Sequence, residues 1–255
     1  MNKVDVKNIY MNYHTITSET TALKNISFSV KEGEFLTIVG PSGCGKSTLL
    51  NIIAGLLTPS KGKIYIHENK IRTSSKNIGY MFQKDQLFEW ISVWENVILG
   101  LKIQKIFTEK NKDYVISLLR HYGLWNFRNH YPKQLSGGMR QRVALIRTLA
   151  TNPDVLLLDE PFSALDYQTR LKISDEVFKI IRDEKKTVIM VTHDIPEAIS
   201  MSDRIIVLSN RPAEIRKTEI INFSKEYSSP LKRREAPNFR LYFNSIWKEL
   251  DSNVK

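Results

Sequence analysis

An α/β fold built around a buried parallel sheet is predicted by three features of this 255-residue chain. A glycine-rich loop, Gly40-Pro41-Ser42-Gly43-Cys44-Gly45-Lys46-Ser47-Thr48, joins an apolar run to a segment of helical character. Val155-Leu156-Leu157-Leu158 runs unbroken into the carboxylates Asp159 and Glu160. Thr187 to Val191 is a β-rich run closed by Thr192 and His193. Strands covered by helices on both faces read as continuous apolar runs, and ligands gather beyond their C-terminal ends.

Phe35-Leu36-Thr37-Ile38-Val39 is the expected strand before the loop, and Ser47 to Ala54 carries apolar residues at helical spacing. Gly40, Gly43 and Gly45 let the backbone turn sharply, so that N–H groups point at phosphates alongside the positive end of the next helix. Pro41, Ser42, Cys44 and Thr48 complete the cradle. Lys46 is placed to reach the β- and γ-phosphates of a nucleoside triphosphate, and the Ser47 hydroxyl to ligate Mg²⁺. Ile78 to Phe82 reads as a further strand ended by Gln83, whose amide can ligate Mg²⁺ or a water. At the end of the 155–158 run, Asp159 is expected in the Mg²⁺ shell and Glu160 as the general base for the attacking water. His193 is expected to hydrogen-bond the γ-phosphate and hold that water.

Leu135-Ser136-Gly137-Gly138-Met139 opens a helix whose apolar stripe is Met139, Val143, Ile146 and Ala150, with Arg140, Gln141, Arg142 and Arg147 largely off it. Ser136 is the expected N-cap, and Gly137 and Gly138 expose backbone N–H groups, which makes a second anion site. A capped helix after a glycine turn accounts for the local chemistry. It does not account for two phosphate-binding devices about ninety residues apart in one chain.

The net charge is +11 and the hydrophobic and charged fractions are 42% and 25%, as in an ordinary globular protein. Basic residues are dispersed except at Lys232-Arg233-Arg234, and no aromatic residues interleave with them, so no nucleic-acid partner is expected. No apolar run approaches the ~18 residues of a membrane span, and the N-terminus lacks a signal-peptide core, which predicts a cytoplasmic chain. Cys44 is the single cysteine, so neither an internal disulfide nor a cysteine zinc cluster can form. Alkylation there is expected to block nucleotide entry.

Taken together, these residues resemble the nucleotide-binding subunit of ATP-binding cassette (ABC) transporters over roughly residues 4–222. The resemblance implies a P-loop NTPase core with an inserted helical subdomain and a small β subdomain. It assigns Gly40 to Thr48 as the phosphate loop, Gln83 as the Q-loop, Leu135 to Met139 as the signature, and Val155 to Glu160 as the Walker B strand with the catalytic glutamate. Ser163-Ala164-Leu165-Asp166 matches the D-loop and His193 the switch histidine, and Tyr13 best fits the aromatic that stacks on adenine. Met139 departs from the family's usual glutamine. The family arrangement implies a head-to-tail homodimer in which ATP lies between Lys46 of one copy and Ser136 of the other. Closing such a switch takes about 5.5 kcal/mol, within reach of three or four charge-assisted hydrogen bonds at about 1.5–3 kcal/mol each.

The expected organisation is core at 1–87 and 154–222, a helical insertion at 88–153 with a stripe of Val115, Leu118, Leu119 and Tyr122, and a tail at 223–255 with a last helix from Phe239 to Leu250. The resemblance implies integral membrane permease subunits as partners on the cytoplasmic face of the membrane, a coupling helix received by the segment Leu87 to Val97 with Trp90 and Trp94, and an extracytoplasmic solute-binding protein as an indirect partner. Leu87-Phe88-Glu89-Trp90, the run Asp203 to Pro212 and the tail Arg240-Leu241-Tyr242-Phe243 look like the nitrate, sulfonate and taurine importer branch. The competing readings are an exporter or lipoprotein-release drive subunit and a soluble ABC ATPase. The latter is disfavoured because the chain carries neither a long coiled-coil insertion nor a second cassette.

Overall fold

The computed structural model describes residues 1–14, 19–71 and 75–251. In chain order the elements are β1 (Asn2–His14), β2 (Glu19–Lys31), β3 (Phe35–Val39), α1 (Lys46–Ile53), β4 (Lys61–Ile66), β5 (Asn69–Ile71) and β6 (Ile78–Met81). Then follow α2 (Val93–Ile103), α3 (Glu109–His121), α4 (Gly137–Ala150), β7 (Val155–Asp159), α5 (Tyr167–Asp183) and β8 (Thr187–Thr192). The chain continues through α6 (Ile195–Met201), β9 (Arg204–Leu208), β10 (Ile215–Ile220), α7 (Pro230–Glu235) and α8 (Phe239–Asp251).

The central sheet has the order β10-β9-β3-β8-β7-β6, parallel from β9 to β6, with β10 antiparallel at one edge. Every residue of β3, β7 and β8 is buried, as their unbroken apolar runs require. Side chains alternate between two cores. Leu156, Leu158, Val188 and Met190 face the layer of α2 to α5, whereas Val155, Leu157, Ile189 and Val191 face α1 and the antiparallel sheet β2-β1-β4-β5. The segment expected to form a strand over 78–82 ends one residue earlier, at Met81. Phe82 is turned out to the surface and stacks on Tyr80 at 4.4 Å.

Between β6 and β7 the chain is helical, and the stripe Val115, Leu118 and Leu119 of α3 is buried. Gln141, off the apolar stripe of α4, is nonetheless buried, with its amide donating to the Pro161 carbonyl. A third apolar cluster joins Ile195, Ala198 and Ile199 of α6 to Val39, Ile205, Val207 and the fully buried Ile246 of α8. The tail is therefore packed into the body of the protein. Its basic run is also largely absorbed. Arg233 donates to the Ser200 and Ser202 carbonyls at 3.1 and 3.3 Å while its guanidinium lies over the rings of Phe178 and Phe223.

Candidate active site

The loop between β3 and α1 has the conformation its glycines allow, with φ of +74° at Gly43 and +122° at Gly45. A Cβ on Gly45 would lie 2.8 Å from the Leu23 side chain and at a φ that side-chain-bearing residues rarely adopt, so both the packing and the backbone favour glycine there. Lys46 is buried, and its ammonium donates to the carbonyls of Gly40 and Pro41 at 2.8 and 2.9 Å. One of its three N–H donors is left for a phosphate. The Tyr13 hydroxyl lies 3.2 Å from the Thr48 hydroxyl, which sets that half-exposed ring at the rim of the loop.

Because β7 is adjacent to β8, and β8 to β3, the ends of the three strands converge. Ser47 Oγ donates to Asp159 Oδ1 at 3.0 Å, and the Tyr80 hydroxyl donates to Asp159 Oδ2 at 3.3 Å. Burial pushes the Asp159 carboxyl up from its ordinary value, partly offset by those two hydrogen bonds, and the neighbouring Glu160 charge raises it further. A carboxylate so disfavoured in its charged form, with a hydroxyl beside it, is a hard-oxygen pair suited to a divalent cation.

Glu160 follows at φ +44°, a left-handed backbone rare for a residue with a side chain and one that turns it out of the strand direction. Its Oε2 accepts from Gln83 Nε2 at 3.2 Å and lies 3.1 Å from His193 Nδ1. Gln83 also reaches Ser163 Oγ at 3.4 Å. The structure thus brings Gln83, Glu160 and His193 into one cluster beside Asp159, Ser47 and Lys46.

Ser136 caps α4 by accepting from Met139 N at 3.3 Å. A Cβ on Gly138 would lie 2.6 Å from the Ile173 side chain, which shows how tightly this helix start sits on α5. Among the described residues, no hydrogen bond or ion pair joins Ser136, Gly137 or Gly138 to Lys46, Ser47, Asp159, Glu160 or His193. Asp166 caps α5 through Thr169 N at 3.0 Å, and that backbone hydrogen bond holds its carboxyl below the usual range.

Comparison with known proteins agrees with this geometry. The family model described as "ABC transporter" matches residues 23–163. The chain belongs to the ABC transporter ATP-binding family. An ABC transporter ATP-binding protein of Bacillus subtilis, YtlC, is 48% identical over 257 residues, covering 100% of this chain and 98% of its own. The taurine import ATP-binding protein TauB of Pelagibacter ubique is 43% identical, with 91% and 89% covered. A solved dimer of the cassette MJ0796, in a post-hydrolysis state bound to ADP and Pi, superposes with a TM-score of 0.73 at 38% identity, over 87% of this chain and all of that one. The protein is therefore an ATPase with the cassette fold.

Several residues of this ABC site escape a reading of the sequence. Tyr80 bonds both Asn51 and Asp159 from the adjacent strand, and only the strand alternation at Ile78, Tyr80 and Phe82 hints at it. Arg211 donates to the Gly43 carbonyl across the loop. Arg140 binds Asp85 at 3.0 Å and Arg147 binds the Asp85 and Gln86 carbonyls at 2.7 and 2.6 Å, so that α4 holds the chain just after Gln83. Cys44 is buried, and burial pushes its thiol up, so it fills space within the loop and is slow to react. The tryptophans divide: Trp90 is 73% exposed, while Trp94 packs edge-on against Trp125. Among the described residues, no helix is long and apolar enough to cross a membrane.

Proposed function

We propose that this chain is the ATP-hydrolysing subunit of a membrane importer for small sulfonates, acting as a head-to-tail homodimer at the cytoplasmic face of the membrane. The observation that carries the reading is the division of phosphate-binding groups. One set, Lys46, Ser47, Asp159, Glu160, Gln83 and His193, is assembled within the chain, whereas the N-terminus of α4 makes no hydrogen bond with any of them. A second copy presenting Ser136 to Gly138 to the γ-phosphate completes the site, and the dimeric state of the MJ0796 relative supports that arrangement.

In this reading the loop N–H groups and Lys46 bind the β- and γ-phosphates, and Tyr13 stacks on adenine. Ser47, Asp159 and Gln83 would hold Mg²⁺, and the ion would supply charge neutralisation at the phosphate oxygens. Glu160 takes a proton from the attacking water, which His193 and Gln83 keep in line with the γ-phosphorus. Ser163 and Asp166 of the D-loop line the seam. Loss of the γ-phosphate removes the contacts from the second copy, and the dimer opens.

The permease would dock on an open groove of about 750 Å³ whose walls include Phe82, Leu87, Phe88, Trp90, Leu99 and Ile103. Exposed aromatic anchors are the usual energetic centre of such contacts. Arg140 and Arg147 tie this groove to α4, so that its occupancy is felt at the second phosphate device. The solute class rests on the taurine relative. Reconstitution with a sulfonate permease and its binding protein tests the reading. Taurine-stimulated ATP hydrolysis with uptake is the expected result, and hydrolysis indifferent to every sulfonate would overturn the assigned cargo.

A further inference from the structure

His193 stands on the two-residue link between β8 and α6, and α6 is only seven residues long. Helices shorter than about 12–15 residues do not hold themselves together in water, so the position of His193 depends on what grips α6. At its first turn, Asp194 caps the helix through Glu197 N at 2.8 Å and pairs with Arg170 at 3.0 Å, while Arg170 reaches the D-loop carbonyl of Leu165 at 3.0 Å. Thr192 hydrogen-bonds the buried Glu197, whose other oxygen has no hydrogen-bond partner.

The remaining grip comes from the tail. Arg233 satisfies the carbonyls of Ser200 and Ser202 at the other end of α6. Ile246 and Leu250 of α8 pack with Ile195, Ala198 and Ile199 along its length. Trp247, Leu250 and Asp251 then close, with His193, Ile195 and the loop residues Gly40 to Ser42, a cavity of about 260 Å³. Ser245 bonds Glu219 at 2.8 Å, and the Tyr242 hydroxyl bonds the Asn222 carbonyl at 3.1 Å, which fastens α8 to the edge of the sheet.

We infer that the C-terminal tail is a positioning element of the ATPase: Arg233 grips the last turn of α6, Ile246 and Leu250 brace its flank, and together they hold His193 against Glu160. The inference rests on the role proposed above for His193. It makes Arg233 and Leu250 positioning residues, since both act on His193 through α6.

The test is ATP binding and steady-state hydrolysis by the full-length chain carrying Arg233→Ala, Arg233→Lys, Leu250→Ala, His193→Ala, or Arg233→Ala with His193→Ala. Arg233→Ala is expected to lower kcat about tenfold or more, the scale of a small misplacement of a reacting group, with ATP affinity changed by no more than about twofold. Arg233→Lys keeps a charged donor for the Ser200 and Ser202 carbonyls and recovers part of the loss. The double variant falls no further than His193→Ala, because Arg233 acts through His193. Leu250→Ala gives the same kcat loss by the apolar route and carries the test should Arg233→Ala not fold. Loss of turnover in His193→Ala with none in the folded tail variants overturns the inference alone, as does a double variant whose losses multiply. Full turnover in His193→Ala overturns the reading of His193 and the inference with it.

Discussion

Glu197 offers a pH dependence whose sign and size follow from its position. It is 3% exposed on α6 and hydrogen-bonded by Thr192. Burial pushes its carboxyl up from 4.5 to about 7, opposed by the Thr192 hydrogen bond and raised again by the Asp194 charge. A carboxyl that ionises later in the folded state than in the unfolded one keeps its proton longer on folding, so stability falls as pH rises from the unfolded value toward the folded value and levels off above it. At 1.36 kcal/mol per unit, the rise from 4.5 to about 7 corresponds to about 3 kcal/mol in full, of which about 2–3 kcal/mol falls between pH 5 and 8. Urea unfolding of the natural protein and of Glu197→Gln across that range isolates the effect, since every other titrating group is common to both and cancels in the difference. The advantage of the variant over the natural protein is expected to grow by that amount toward pH 8. Parallel stability profiles would refute the reasoning, because they would mean that Glu197 is as free to ionise in the fold as in the unfolded chain.

Glu160→Gln is expected to slow hydrolysis by about 10²–10⁴-fold and to trap an ATP-bound dimer on gel filtration; a monomer under saturating ATP counts against the shared site. Ser136→Arg should abolish hydrolysis while ATP binding is retained, and equal loss of both would assign Ser136 a purely structural role. Iodoacetamide should label Cys44 slowly in the folded protein and quickly after denaturation, because the thiol is buried and pushed up from its ordinary value; fast labelling of the native protein would contradict that burial. Trp90→Ala should leave basal ATP hydrolysis intact and weaken co-purification with the permease, and an unchanged complex would remove the groove from the proposed docking site.

The three central strands and the phosphate loop were legible because a strand buried on both faces admits almost nothing but apolar residues, and a loop wrapped around phosphate admits little but glycine at Gly43 and Gly45. The cap at Ser136 was equally plain, since a hydroxyl before two glycines and an apolar stripe has one common use. Such features are short-range: backbone geometry and burial act on each residue where it stands.

What the tertiary structure alone decided is which distant side chains meet. Nothing local in Tyr80 announces Asp159, which lies 79 positions away, as its partner. Nothing in Arg140 and Arg147 names Asp85 and Gln86, and the basic run at Lys232 to Arg234 reads as a surface patch until α7 folds Arg233 onto the end of α6. Trp90 and Trp94 share a sequence neighbourhood, yet one faces water and the other Trp125. A charged or aromatic side chain is compatible with many surroundings. Its role is set by the long-range packing that chooses among them, and that choice is a property of the whole fold.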